Sequence, residues 1–341
     1  MVPKKIRRFF RKFPFPKIFR AVRIASHAAA LSAAIATLLG FAGTFWWGFE
    51  WLDHPRPQYC LLLVFAIVVG AFSRRAWSFL WCVPLILNLV VIVPLFMGPE
   101  GVLASPPANP TCRLVHINLD RDNQNFTRAI EYIDAQNADL IFLQEVTPQW
   151  LTQLQANLSR YQVAESVPLE NSHGVAMLQP VERSPNFEVI GTQVVNLPPD
   201  SDRPMLAIAA RWGEQEVAIL SFHVIFPRDR GSSAFQQIEF NAAAQWSRTQ
   251  QQQNREVILI GDFNSTPWSA RFQRLLQESK LKNSQRGFGL QPTWIAGFPP
   301  PLSLPIDHCL HSLSLLTLKR AIGENIGSQH LPLIVELGQR S

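Results

Sequence analysis

Asp262 and Asn264 follow the apolar run Val257-Ile258-Leu259-Ile260 at an i, i+2 spacing. On an extended chain two such residues point to the same side. Five more polar side chains stand where apolar runs stop or are interrupted: Asn118, Glu145, His223, Asp307 and His330. Carboxylates and carboxamides are hard oxygen ligands suited to Mg2+ or Mn2+. Two histidines in the same set can move protons near neutral pH. Taken singly, each residue has a plainer reading: Asp262 and Asn264 as a turn cap, Asn118 as a turn residue, each histidine as a hydrogen-bonded structural group. The chain has no Cys/His zinc spacing, no Gly-rich phosphate loop and no Gly-x-Ser-x-Gly elbow. The set therefore points to an oxygen-ligated cation rather than to zinc, a nucleotide loop or a serine nucleophile.

The elements that must position these residues alternate in type. Residues 112–119 predict a strand, and the spacing of Phe126, Ala129, Ile130 and Ile133 predicts a helix. Residues 139–146 predict a second strand, with Thr147-Pro148 as N-cap and first turn of a helix running to about 158. Strands are expected at about 174–179, 187–195, 205–212 and 216–223, then a helix over 232–252 that ends in the solvated Gln250–Gln253 tract. The strand ending at Asp262 leads into Thr266-Pro267, which predicts a cap for a helix over 268–279; two last strands surround Asp307 and follow His330. This mixture implies layered sheets with helices outside. Every candidate residue falls at or near a strand end.

Charge divides the chain. Residues 1–111 hold 12 Lys/Arg against 3 Asp/Glu, and residues 112–341 hold 19 against 22. The basic balance belongs to the front third, so the rest carries no broad cationic surface for duplex nucleic acid. Residues 1–23 form a basic tail without acids. Apolar runs at about 24–49, 57–73 and 76–97 follow, the first long enough for the ~20 residues a membrane span needs. Residues 24–97 are thus expected to be an all-α anchor of about three helices, surrounded by membrane lipid. The Lys/Arg bias keeps the tail cytoplasmic and sends the C-terminal part out of the cytoplasm. Helices without intramembrane acids suit anchoring rather than transport. Residues 98–111, rich in Gly, Pro and Ala, predict an extended linker to a domain at 112–341. Four cysteines are too few for a disulfide scaffold; Cys112 and Cys309 are either two buried thiols or one pair.

The ordered series HINL (116–119), LIFLQEV (140–146), HGVAML (173–178), LSFHV (220–224), ILIGDFNSTP (258–267), PIDHCL (305–310) and GSQHLPL (327–333) resembles the endonuclease/exonuclease/phosphatase superfamily, in its bacterial branch with N-terminal membrane helices. The resemblance covers about 112–338. It implies a four-layered α/β/β/α sandwich of two mixed sheets and cleavage of a phosphodiester or phosphomonoester with Mg2+, or with Mn2+. It implies metal binding by Glu145 helped by Asn118, orientation or deprotonation of water by Asp262, and a phosphate contact from Asn264. His223 would donate to a phosphate oxygen, and His330, held by Asp307, would sit against the scissile phosphate. His173 and Arg203 are candidate substrate contacts, with Arg228 or Arg230 as further ones. The substrate classes open to such a site are a nucleic acid, a phospholipid head group or a small phosphate ester, in a bacterial inner or plasma membrane and with no protein partner implied. One position departs from the pattern: Gln329 stands where the family usually has Asp, which keeps open the alternative of a weakened, membrane-tethered binding or scaffold protein.

Overall fold

The computed structural model describes residues 15–43, 45–98, 111–182, 184–297 and 302–340. The predicted basic tail up to residue 14, and the predicted linker over 99–110, lie outside the described residues. The chain forms two compact units, Met1–Ile92 and Val93–Ser341.

In the first unit, α1 (Phe15–Phe41) is followed by the short α2 (Trp47–Trp51), α3 (Arg56–Phe72) and a 3-10 segment (Ala76–Trp81) that runs into α4 (Cys82–Ile92). The first helix is shifted toward the N-terminus from the expected 24–49. The backbone turns after Phe41, where Gly40 and Gly43 pack closely on Asp53 and Glu50; a Cβ on Gly40 would lie 3.2 Å from the Asp53 backbone. Two helical stretches, Lys17–Phe41 and Ala76–Leu95, are long and apolar enough to cross a membrane, and Arg56–Phe72 is shorter. Ala30, Ala33 and Ala66, small residues that let helices approach, pack together with Leu63. Asn88 is buried, donates to Thr37 Oγ1 (2.8 Å) and the Pro84 carbonyl (2.9 Å), and accepts from Arg56 (3.0 Å).

The second unit is a sandwich of two six-stranded sheets. The strands are β1 (Cys112–Asn118), β2 (Leu140–Gln144), β3 (Tyr161–Val167), β4 (Val175–Pro180), β5 (Phe187–Asn196), β6 (Pro204–Trp212), β7 (Gln215–Ser221), β8 (Glu256–Asp262), β9 (Lys282–Asn283), β10 (Asp307–His311), β11 (Leu315–Ile322) and β12 (Leu333–Gln339). One sheet has the order β11-β12-β1-β2-β4-β3 and the other β5-β6-β7-β8-β10-β9. Each contains one parallel pair, β1 with β2 and β7 with β8, bridged by helices; the remaining pairs are antiparallel.

Alternation along each strand divides the core into three. Leu114, Phe142, Ile219, Ile258 and Ile260 fill the seam between the sheets. Their neighbours Val115, Ile117, Ile141 and Leu143 face α5 (Phe126–Asp134) and α6 (Pro148–Asn157) on one outer side. Val257, Leu259 and Leu310 face α7 (Arg230–Gln252) and α8 (Ala270–Ser279) on the other. The result is four layers, as the resemblance implied. Thr147 caps α6 by accepting from Trp150 N (3.1 Å), as its sequence predicts. The cap of α8 is Ser269, accepting from Phe272 N (3.2 Å), rather than the expected Thr266-Pro267. Cys112 and Cys309 are free thiols within the seam.

Candidate active site

The seam turns polar at one end. In β1, Cys112 and Leu114 face the other sheet, so by the period of two His116 and Asn118 do as well. The same reading carries Leu140 and Phe142 on to Gln144 in β2, and Ile258 and Ile260 on to Asp262 in β8. β10 runs the opposite way and starts at this rim, with Asp307 paired to Asp262 in register. The C-terminal ends of two parallel pairs and the starting ends of two antiparallel strands therefore meet at a single mouth. His330 enters just before β12.

Gln144 fastens the two sheets there. Fully buried, it donates to the Phe222 carbonyl (3.2 Å), just after β7, and accepts from Asp262 N (3.0 Å), at the end of β8. Gly261 makes room for that contact. Its φ is +151°, and a Cβ would fall 2.1 Å from Phe222 O and 2.5 Å from Gln144 Nε2.

Asp307 is buried and accepts from two imidazoles, His330 Nδ1 at 3.0 Å and His116 Nε2 at 2.9 Å. Burial alone would raise its pKa; the charge of His330 and the two hydrogen bonds outweigh it and hold Asp307 well below the usual carboxylate range. For His330, burial favours the neutral ring, but the charge and hydrogen bond of Asp307, helped by Asp262 and Glu145, raise it to about 9. Burial, and then repulsion from Asp307, push Asp262 up to about 7. Burial, then Arg203 and the neighbouring histidines, press His223 well below its ordinary value. At neutral pH the mouth thus holds a cationic His330, a neutral His223 and an Asp262 poised between acid and base.

Asp262 Oδ2 is the point on which the groups converge. Asn118 Nδ2 lies 3.4 Å away, His330 Nε2 3.8 Å and His223 Nε2 4.0 Å. Asp262 Oδ1 accepts from Asn264 N at 2.8 Å, and Asn264 Nδ2 donates to the Val224 carbonyl at 2.9 Å. Glu145 accepts from Asn118 Nδ2 (3.1 Å) and Arg121 N (3.2 Å). Glu145, Asn264 and Asp120 adopt φ of +60°, +44° and +59°, the left-handed region that costs a non-glycine residue. All three line a cleft of about 490 Å3 that also exposes Asp262, His223, His330 and Trp294.

A cation fits among these oxygens. Asp262, Asp307 and His330 offer ligand atoms within 4.8 Å of one another. Both oxygens of Asp307 are engaged by buried imidazoles, whereas Glu145 and Asp262 line the open cleft, with Asn118 Nδ2 directed at both and its Oδ1 accepting from Asp120 N (3.0 Å). Asp120 adds a third carboxylate at the cleft wall, accepting weakly from Gln329 N (3.4 Å). A set rich in carboxylates suits a hard divalent ion.

The seven strand-end residues singled out in the sequence come together. His173 and Arg203 also line the cleft, but Arg203, 4% exposed, is occupied by the protein. It donates to Glu239 Oε1 (2.8 Å) and to the His223 carbonyl (3.0 Å), and its Nη1 lies 2.7 Å from His173 Nε2. Burial and then Arg203 lower His173 to about 4. Burial pushes Glu239 up to about 7 against the pull of Arg203. Arg228 lines the cleft as well. Sequence reading missed His116, Gln144, Asp120 and Glu239. The i, i+2 relation of His116 to Asn118 and the adjacency of Gln144 to Glu145 would have found two of them; Glu239, within a long helix, gives no local signal.

The sequence profile of the Endonuclease/Exonuclease/phosphatase family matches residues 115–330. No protein of curated function matches the chain. Among solved structures, a conserved protein of unknown function from Enterococcus faecalis V583 is similar at 18% identity and TM-score 0.54, over 67% of this chain and 100% of that one. A mannosyl-6-phosphatase from Bacteroides thetaiotaomicron is similar at 16% identity and TM-score 0.52, over 67% and 99%. D. rerio TDP2 complexed with single-strand DNA product is similar at 13% identity and TM-score 0.53, over 68% and 100%. At these identities the likeness is one of fold.

Proposed function

The chain belongs to the endonuclease/exonuclease/phosphatase family, and from that membership we propose that it is a divalent-metal-dependent phosphoesterase, anchored in a membrane by its N-terminal helices. The observation that carries the reading is the ring of donors around Asp262 Oδ2, at 3.4 to 4.0 Å. These distances are too long for strong hydrogen bonds, yet three nitrogens converge on one carboxylate oxygen. A water seated beside Oδ2 would be within hydrogen-bonding reach of it and of these nitrogens.

Glu145 and Asn118 would hold the cation, which supplies neutralisation of charge on the phosphoryl oxygens. Asp262 accepts the proton of the attacking water; its Oδ1 is fixed by Asn264 N, so Oδ2 is the basic atom. His330 is kept cationic by Asp307 and donates toward the phosphate through Nε2, the nitrogen not engaged by Asp307. His223, neutral, donates a second hydrogen bond, its backbone held by Arg203. Gln329 favours the rival reading of a binding or scaffold protein. Against it stand three strained backbones and a buried charge network gathered at one cleft, as at sites of chemistry.

The test is Mg2+- and Mn2+-dependent hydrolysis across nucleic acid, phospholipid and small phosphate-ester substrates, with His330→Ala as control. A protein inert on all of them, showing no Glu145-dependent metal binding, is a scaffold. A reporter active only outside the cytoplasm, fused after Ser341, tests the orientation; a silent reporter overturns it.

A further inference from the structure

A second cleft, of about 410 Å3, opens at the opposite end of the seam. β10 runs from Asp307 at the catalytic rim to His311, which lines this cleft, a distance of roughly 13 Å at ~3.3 Å per residue. Lys282, Arg286 and Arg340 also line it, with Leu315 and Met97, and no lining residue among those described is acidic. His311 belongs to the floor, since Nδ1 donates to the Ser312 carbonyl (2.8 Å) and Nε2 lies 2.9 Å from Thr317 Oγ1. Arg286 and Arg340 are exposed.

The chain itself says where this cleft lies. Leu95 is the last residue of the apolar stretch Ala76–Leu95. Its carbonyl accepts from both Gly287 N and Gly289 N at 2.8 Å, the loop that carries Arg286. Phe96 and Met97 follow, 58% and 59% exposed, and the Phe96 ring lies against Gly289. Exposed apolar and aromatic residues beside cations, directly after a span, form the pattern of the membrane interface. Met97 is two residues beyond the span, so chain length alone keeps it within ~7 Å of the span's end.

We propose that this cleft binds the phosphate of an anionic lipid in the membrane that holds the anchor, with Arg286 and Arg340 as the principal contacts. The inference rests on the anchor reading above and is independent of the catalytic one.

The test uses the full chain in detergent, titrated with phosphatidylglycerol, phosphatidylcholine or inorganic phosphate and read by native mass spectrometry. The expected result is selective retention of phosphatidylglycerol, weakened about thirtyfold in Arg286→Gln/Arg340→Gln at roughly 1 kcal/mol per cation. Arg286→Lys/Arg340→Lys restores retention, and Arg128→Gln/Arg274→Gln, an exposed pair outside the cleft, leaves it unchanged. Equal retention of the two lipids, equal loss in both arginine pairs, or full displacement by inorganic phosphate overturns the proposal. Alkaline carbonate extraction reads the anchor separately: release of the wild-type chain overturns the anchor and this inference with it, whereas a resistant chain with charge-insensitive retention sinks the lipid site alone. Glu145→Gln is expected to lose hydrolysis and keep the lipid.

Discussion

The two ends of the seam between the sheets share the strand β10 and do opposite things with charge. At the catalytic end, Asp262, Asp307, His116 and His330 are buried and matched across the two sheets. At the other end, Arg286 and Arg340 are exposed cations around a wide mouth. Burial decides the difference. Removed from water, a charge must have a partner in fixed geometry, and its electrostatic influence is large; left in water, it is screened and acts as one of several. The catalytic end should therefore be intolerant of single changes and the far end tolerant.

The sharpest way to break that contrast is Asp262→Asn, which removes the proposed proton acceptor. It is expected to lower kcat/KM about 10⁴-fold with an unchanged circular dichroism spectrum; a loss no larger than that of a surface change would undo the mechanism. His330→Gln and Asp307→Asn should each cost about 10²–10³-fold, and the double variant little more than either, because the two act as a unit. Additive losses in the kinetic double-mutant cycle would show that they work apart. Gln144→Leu leaves the Phe222 carbonyl and Asp262 N without their partner and should destabilise the fold by about 2–4 kcal/mol in urea unfolding.

At the far end His311 is buried, and burial, then Lys282 and Arg340, lower it to about 4 from the ordinary 6.5. The unfolded chain takes up that proton first as pH falls. Stability from this group is thus whole above pH 6.5, decreases below it, and is lost as pH passes through about 4. His311→Gln should reduce the stability lost between pH 7 and pH 5 by about 2 kcal/mol. Smallest of all, Arg286→Gln/Arg340→Gln should change the unfolding free energy by under ~0.5 kcal/mol, although lipid retention responds.

Much of this was legible in the sequence, for a local reason. Asn118, Glu145 and Asp262 could be picked out because a polar residue after an apolar strand ends a pattern that a single stretch of chain displays. Three strands were not foreseen: β3 and β11, the two edges of one sheet, and the two-residue β9 at an edge of the other. β3 is mostly half-buried and β11 carries a bulge between Thr317 and Lys319, so neither shows clean alternation. The first helix was misplaced because hydropathy does not register the turn at Gly40 and Gly43. The pairing of His116 with Asp307, across 191 residues, is a fact of how the sheets stack, and no window of sequence contains it.

Gln144 ties one sheet to the other through main-chain atoms alone, the Phe222 carbonyl and the Asp262 amide. One partner is the first residue after β7 and the other the last residue of β8. The spacing between Asp262 and Gln144 opposite it is consequently set at the strand ends, while segments such as 226–229, around Phe226 and Arg228, line the entrance. Such a design lets a lineage trade one molecule for another at the entrance and keep the same reaction beneath.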